Sequence, residues 1–196
     1  MKLQERLPGG VEVDGKFYRM DFDFRNVLEM METMARDDLM VDAREYKALK
    51  CVMKRPPKEV GKAMEAVRKT LFPNAKKHAE KTKITDFKQD AALIRAAFLQ
   101  SYGINLFRDK LHWIEFSELL SALPEGSRYQ EVIGIRVRPY PKATKYNAEE
   151  RQWLAKAKAA CALEMDEGER VANLDKCIVN IFHGLLAWAE GRENGG

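Results

Sequence analysis

The sequence predicts a mainly α protein: a helical domain of six to eight helices with a small N-terminal β-hairpin. Three observations carry this. Alternation with the period of a strand occurs once, in VEVDGKFYR at 11–19. From Asp23 onward apolar residues instead recur every three to four positions, the mark of helices with one buried face. Breaks at Pro56-Pro57, Pro73, Gly103, Pro124 and Pro139-Tyr140-Pro141 cut that pattern into helix-sized pieces. The expected organisation is a hairpin at 1–22, a helical domain at 23–163, and a C-terminal amphipathic helix and tail at 164–196.

In the hairpin, Val11 and Val13 share a face, and Asp14-Gly15 leads to Phe17 and Tyr18. Asp-Gly between β-prone runs selects a type I′ turn, which needs positive φ at both central residues. A two-stranded hairpin is marginal by itself. Phe17 and Tyr18 are therefore expected to pack on the helices or on another copy of the chain.

Asp23 is placed to cap the first helix, with Phe24, Val27, Leu28, Met31 and Met34 in phase and Asp37-Asp38 at its end. Asp42 starts the second, with Tyr46, Leu49 and Met53 on one face; Val60, Met64, Val67 and Leu71 mark the third. Residues 73–85 are lysine-rich and lack an apolar period, so they read as a mobile basic loop. Asp86 is expected to cap a fourth helix carrying Phe87, Ala91, Ile94, Phe98 and Tyr102, ended by Gly103 at the C′ position.

A fifth helix is expected from about Asp109 to Pro124, apolar around much of its circumference through Leu111, Trp113, Ile114, Phe116, Leu119, Leu120 and Leu123. That is the pattern of a central helix. Ser127 is placed to cap the sixth, through Val132 and Ile135. Asn147 with Glu150 forms a capping-box pattern opening a basic, alanine-rich helix to about Leu163. Beyond Arg170, the residues Val171, Leu174, Ile178, Ile181, Leu185 and Trp188 make an a/d-like seam, to be buried on the protein's own core or on a second chain.

Composition narrows the function. With 45% hydrophobic residues a core of ordinary size can form. No apolar run approaches the roughly 18 residues of a membrane span, and MKLQERLPGG lacks the apolar region of a secretory signal. A soluble cytoplasmic protein is expected, with no membrane partner. Cys51, Cys161 and Cys177 are an odd number at wide spacing, giving neither a disulfide framework nor a zinc knuckle. The net charge is +4, with basic blocks at 68–83 and 128–158 and an excess of acids from Glu164 onward. Those blocks support an alternative function as a nucleic-acid-binding module. They do not interleave aromatics for base stacking except at Tyr140 and Tyr146, so nucleic acid is the weaker reading.

Catalytic signatures are missing. There is no GxGxxG, no P-loop, no HExxH and no GxSxG. Asp21 and Asp23 flank Phe22 without the spacing of a calcium loop. His112 and Glu115, with Glu118 extending the row, would share one helix face. A catalytic zinc usually needs three protein ligands, so His112 is read as a hydrogen-bonded residue at the edge of the core. Neither an enzyme, a catalytic residue, a metal nor a cofactor is expected. Met30, Met31, Met34, Met40, Met53 and Met64 enrich the first three helices, either filling core gaps or forming an adaptable surface for another chain.

Two stretches then carry a resemblance. LPGGVEVDGKFYRMDFDFRNVLEM at 7–30, and the run at 86–137 containing Asp90, Phe98, Tyr102, Gly103, Ile104, Leu111, His112, Trp113, Phe116, Leu123, Pro124 and Ile133-Gly134-Ile135-Arg136, resemble the bacteriophage "gene product fifteen" family. The resemblance spans about 7–160, with Ile114 standing where many members have a second aromatic. Members are generally regarded as tail assembly chaperones of long-tailed phages and prophages. The resemblance implies a non-enzymatic protein in the cytoplasm of the bacterial host that binds the tape-measure protein and acts as a homo-oligomer. The methionine run and the seam, read from the residues alone, give Met30, Met31, Met34, Ile178, Ile181, Leu185 and Trp188 as the candidate partner-binding residues.

Overall fold

A computed structural model describes residues 4–73 and 84–164. Nearly all of the basic loop expected at 73–85 lies outside the described residues, as does the whole seam with Ile178, Ile181, Leu185 and Trp188. The described chain contains a two-stranded antiparallel hairpin, β1 (Gly10–Val13) and β2 (Lys16–Arg19). Seven helices follow among the described residues: α1 (Phe24–Met34), α2 (Val41–Val52), α3 (Val60–Leu71), α4 (Ala91–Tyr102), α5 (Trp113–Ser121), α6 (Arg128–Val137) and α7 (Ala148–Cys161).

The hairpin turns as its sequence requires, with φ of 50° at Asp14 and 76° at Gly15. Gly10 pairs with Arg19, and a Cβ there would collide with the Tyr18 carbonyl. Val11 and Val13 are buried with the helices in one core, while β1 packs on α3. Tyr18 is half-buried against that core, but Phe17 is 63% exposed, contrary to its expected packing. Antiparallel pairing fixes the reason: Val11 and Val13 take the inward face, and Phe17 stands opposite the exposed Glu12.

Several helix starts differ from their expected form. The buried α2 face is Ala48, Leu49 and Val52; Tyr46 is 44% exposed and lies off that face. Asp86 caps a turn, not α4: its Oδ1 accepts from the Lys88 and Gln89 amides, and α4 begins only after Asp90. Asn147 precedes α7 but forms no capping box, since its side chain bonds backward to Thr144 N and Lys142 O. Asp23 and Ser127 do cap, accepting from Arg25 N and Gln130 N. Gly103 ends α4 at φ 69°, with its amide on the Leu99 carbonyl at 3.1 Å.

Phe116 sits at the centre of the core. Its ring stacks on Phe24 at 4.6 Å and on Phe98 at 5.2 Å, with Trp113 at 5.8 Å. Trp113 in turn meets Phe72 and Phe87 edge-on. One aromatic network thereby joins α1, α4 and α5 to the ends of the segments flanking residues 74–83.

Candidate partner-binding surface

Methionines on α1 and α3 meet without their helices packing closely. Both helices pack on α2, and the space between them is a groove of about 360 Å³. Met30, Met31 and Met34 come from α1, Met64 and Val67 from α3, and Phe72 lies just beyond α3. Spacing explains the wall: residues 30 and 31 lie four and three positions before 34, about one helical turn, so three flexible thioethers share one side of α1. Met30 is only 3% exposed and forms the floor of the groove. Met31 is 36% exposed and Met34 half-buried, so the groove opens to solvent through them.

The rim carries three charged residues, Glu45, Glu65 and Arg68, and two of them pair. Arg68 donates from Nε and Nη2 to the two Glu65 carboxylate oxygens, both at 2.8 Å. That hydrogen-bonded guanidinium lowers the Glu65 carboxyl to about 2. With Arg68 and Glu65 paired, Glu45 is the rim charge left for a partner to meet beside the apolar floor. Met40, 84% exposed, and Met53, 9% exposed, lie outside the groove, so composition alone did not delimit it.

The residues that looked chemical form a structural knot. The peptides around Asp23 and His112 make an isolated antiparallel bridge: Phe24 N donates to Leu111 O and Trp113 N to Phe22 O. Each is also a helix cap, Asp23 for α1 and His112 for α5. His112 therefore stands before the helix, not within it, so the expected His112–Glu115 helix row does not form. Its Nδ1 accepts from Ile114 N at 3.1 Å, which assigns the proton to Nε2, and Nε2 donates to the Pro8 carbonyl at 3.0 Å. Phe22 packs edge-on to the imidazole at 5.7 Å. Both ring nitrogens are thus committed to backbone. Among the described residues no group of three or more His, Cys, Asp or Glu is placed to hold a metal ion, and no helix is long and apolar enough to cross a membrane.

Beside the knot, Arg25 lies over the Phe24 ring, pairs with Asp23 at 3.1 Å, and donates to the carbonyls of Leu106 and Asp109. The remaining motif residues are equally structural. Phe98, Leu111, Trp113, Phe116 and Leu123 are buried, and Tyr102 donates its hydroxyl to the Leu119 carbonyl. Gly103 and Pro124 are exposed, marking where helices stop and not contributing to the core.

Five of the eight cations in the basic segment 128–158 have a carboxylate or carbonyl partner. Arg136 forms two bonds of 2.8 Å with Asp90, which is 1% exposed, and also donates to Ile84 O and Cys161 O. The Asp90 hydrogen bond raises the Arg136 guanidinium further above its ordinary value. Lys158 donates to Arg136 O, Arg138 pairs with Glu150, Arg128 with Glu131, and Arg151 with the Pro141 carbonyl.

A family model described as Bacteriophage Gp15 protein matches residues 3–163. The chain belongs to that family. The match takes in the hairpin, all seven described helices and both motif stretches, and stops just before the seam. No curated protein and no solved structure matches the chain.

Phe72, Arg25 and the Asp90–Arg136 pair are the participants sequence reasoning passed over. The two arginines stand in motif stretches, but their partners are distant backbone carbonyls and carboxylates that a sequence does not name. Phe72 follows Leu71 in helical phase with Arg68, which was a usable signal.

Proposed function

We propose that this Gp15-family protein is a non-enzymatic tail assembly chaperone that binds the tape-measure protein during tail morphogenesis in the bacterial cytoplasm. The observation that supports this reading best is the methionine groove between α1 and α3. A tape measure presents long amphipathic helical faces, which aggregate unless covered. A groove of flexible thioethers accepts such faces without demanding one sequence, the use to which Met-rich grooves are put. Function as a homo-oligomer belongs to the same proposal, because a long client offers many equivalent stretches.

Co-expression with the cognate tape measure tests it. The wild type should keep the tape measure in the soluble fraction, whereas Met31→Asp with Met34→Asp should lose most of that effect, each buried apolar contact being worth about 1–3 kcal/mol. A tape measure equally insoluble with and without this chain would refute the reading.

A further inference from the structure

The described chain ends at Glu164, held beside the segment that precedes α4. Glu164 is clamped by Gln89, which accepts from Glu164 N at 2.7 Å and donates to Glu164 O at 2.8 Å. The neighbouring Lys88 pairs at 3.1 Å with Glu32 on α1, one residue after Met31 in sequence but on another side of the helix. On the other flank Phe87 meets Trp113, which meets the groove residue Phe72. Residues 165–170 separate this point from Val171, and six residues reach about 20 Å when extended.

The residues after that linker suit the groove. Val171, Leu174, Ile178 and Ile181 repeat at helical spacing, and a helix from 171 to 181 would be about 15 Å long, close to the length of the 11-residue α1. The linker itself carries three acids, Asp166, Glu167 and Glu169. A short tether holds such a segment near the groove at an effective concentration of about a millimolar, which favours the chain's own seam over that of a second copy at micromolar protein.

We propose that the methionine groove is occupied in the resting protein by the chain's own C-terminal segment, with Leu174, Ile178 and Ile181 seated over Met31, Met34 and Met64. The segment shields the thioethers from solvent and gives way to a client helix that buries more apolar area. The displacement by a client rests on the chaperone reading; the occupancy does not, and it is measured without any client.

The experiment uses the full chain with Cys51, Cys161 and Cys177 replaced by serine, carrying Met31→Cys with Leu174→Cys and treated with a short bismaleimide. An intramolecular cross-link is expected, its yield unchanged over about tenfold dilution. The exposed control pair Met40→Cys with Leu174→Cys should cross-link several-fold less. Equal yields for the two pairs, or products joining two chains and fading on dilution, overturn the proposal. Hydrogen exchange on the otherwise unaltered full chain gives a second reading that keeps the native cysteines. Ile178→Asp with Ile181→Asp should speed exchange in α1 and α3 by about tenfold, and unchanged exchange overturns occupancy.

Discussion

His112 shows how a residue's chemistry is set by its neighbours. Its Nδ1 satisfies an α5 amide that no helical carbonyl can reach, and its Nε2–H ties the segment before β1 to the start of α5. Removing the ring leaves two backbone groups without their partner. His112→Ala is therefore expected to cost about 1–2 kcal/mol, while His112→Asn, which still offers a capping oxygen, should recover about half of that. Urea denaturation of the two variants measures the difference. Equal losses would mean that the Pro8 contact, not the cap, carries the effect.

At the scale of the element, two glycines behave oppositely. Gly103 holds φ 69° at the end of α4, and nothing lies within 4 Å of the place a methyl group would take, so conformation alone opposes a side chain there. Gly103→Ala should destabilise by about 1 kcal/mol. Gly134 lies within α6 with nothing within 4 Å of a Cβ, so Gly134→Ala should stabilise by about 0.5–1 kcal/mol. Thermal unfolding of the pair should move in opposite directions. The helices themselves were legible because each apolar period ends at a proline, glycine or cap. Their starts were less so: Asp86 and Asn147 offer the right side chains, but each bonds a turn close by instead of the helix expected. An aspartate or asparagine before a helix has several backbone amides within reach, and local turn geometry chooses among them.

For the whole molecule, Asp90 and Arg136 hold the two ends of the second half together. Arg136 on α6 bridges Asp90 before α4, the Ile84 carbonyl, and the Cys161 carbonyl at the end of α7. Its side chain is 12% exposed and that of Asp90 2%, so the pair is desolvated and removing one member leaves a buried charge. Asp90→Ala should cost about 3–5 kcal/mol, and Asp90→Ala with Arg136→Met clearly less than the sum of the two single losses. A double-mutant cycle by denaturant unfolding checks this. Additive losses would show that the two side chains act separately.

The sequence by itself determined the helical class, the single hairpin, most element boundaries and the family, because these depend on period, turn chemistry and residue order along the chain. It also named the methionines, though not which of them face each other. Tertiary structure decided that His112 caps a helix, that Met30 is floor while Met31 and Met34 are opening, and that much of the basic surface is tied to carboxylates and carbonyls. Those outcomes arise from pairings such as Asp23 with His112 and Asp90 with Arg136, distant along the chain. No local pattern encodes a partner that only packing brings within a hydrogen bond's reach.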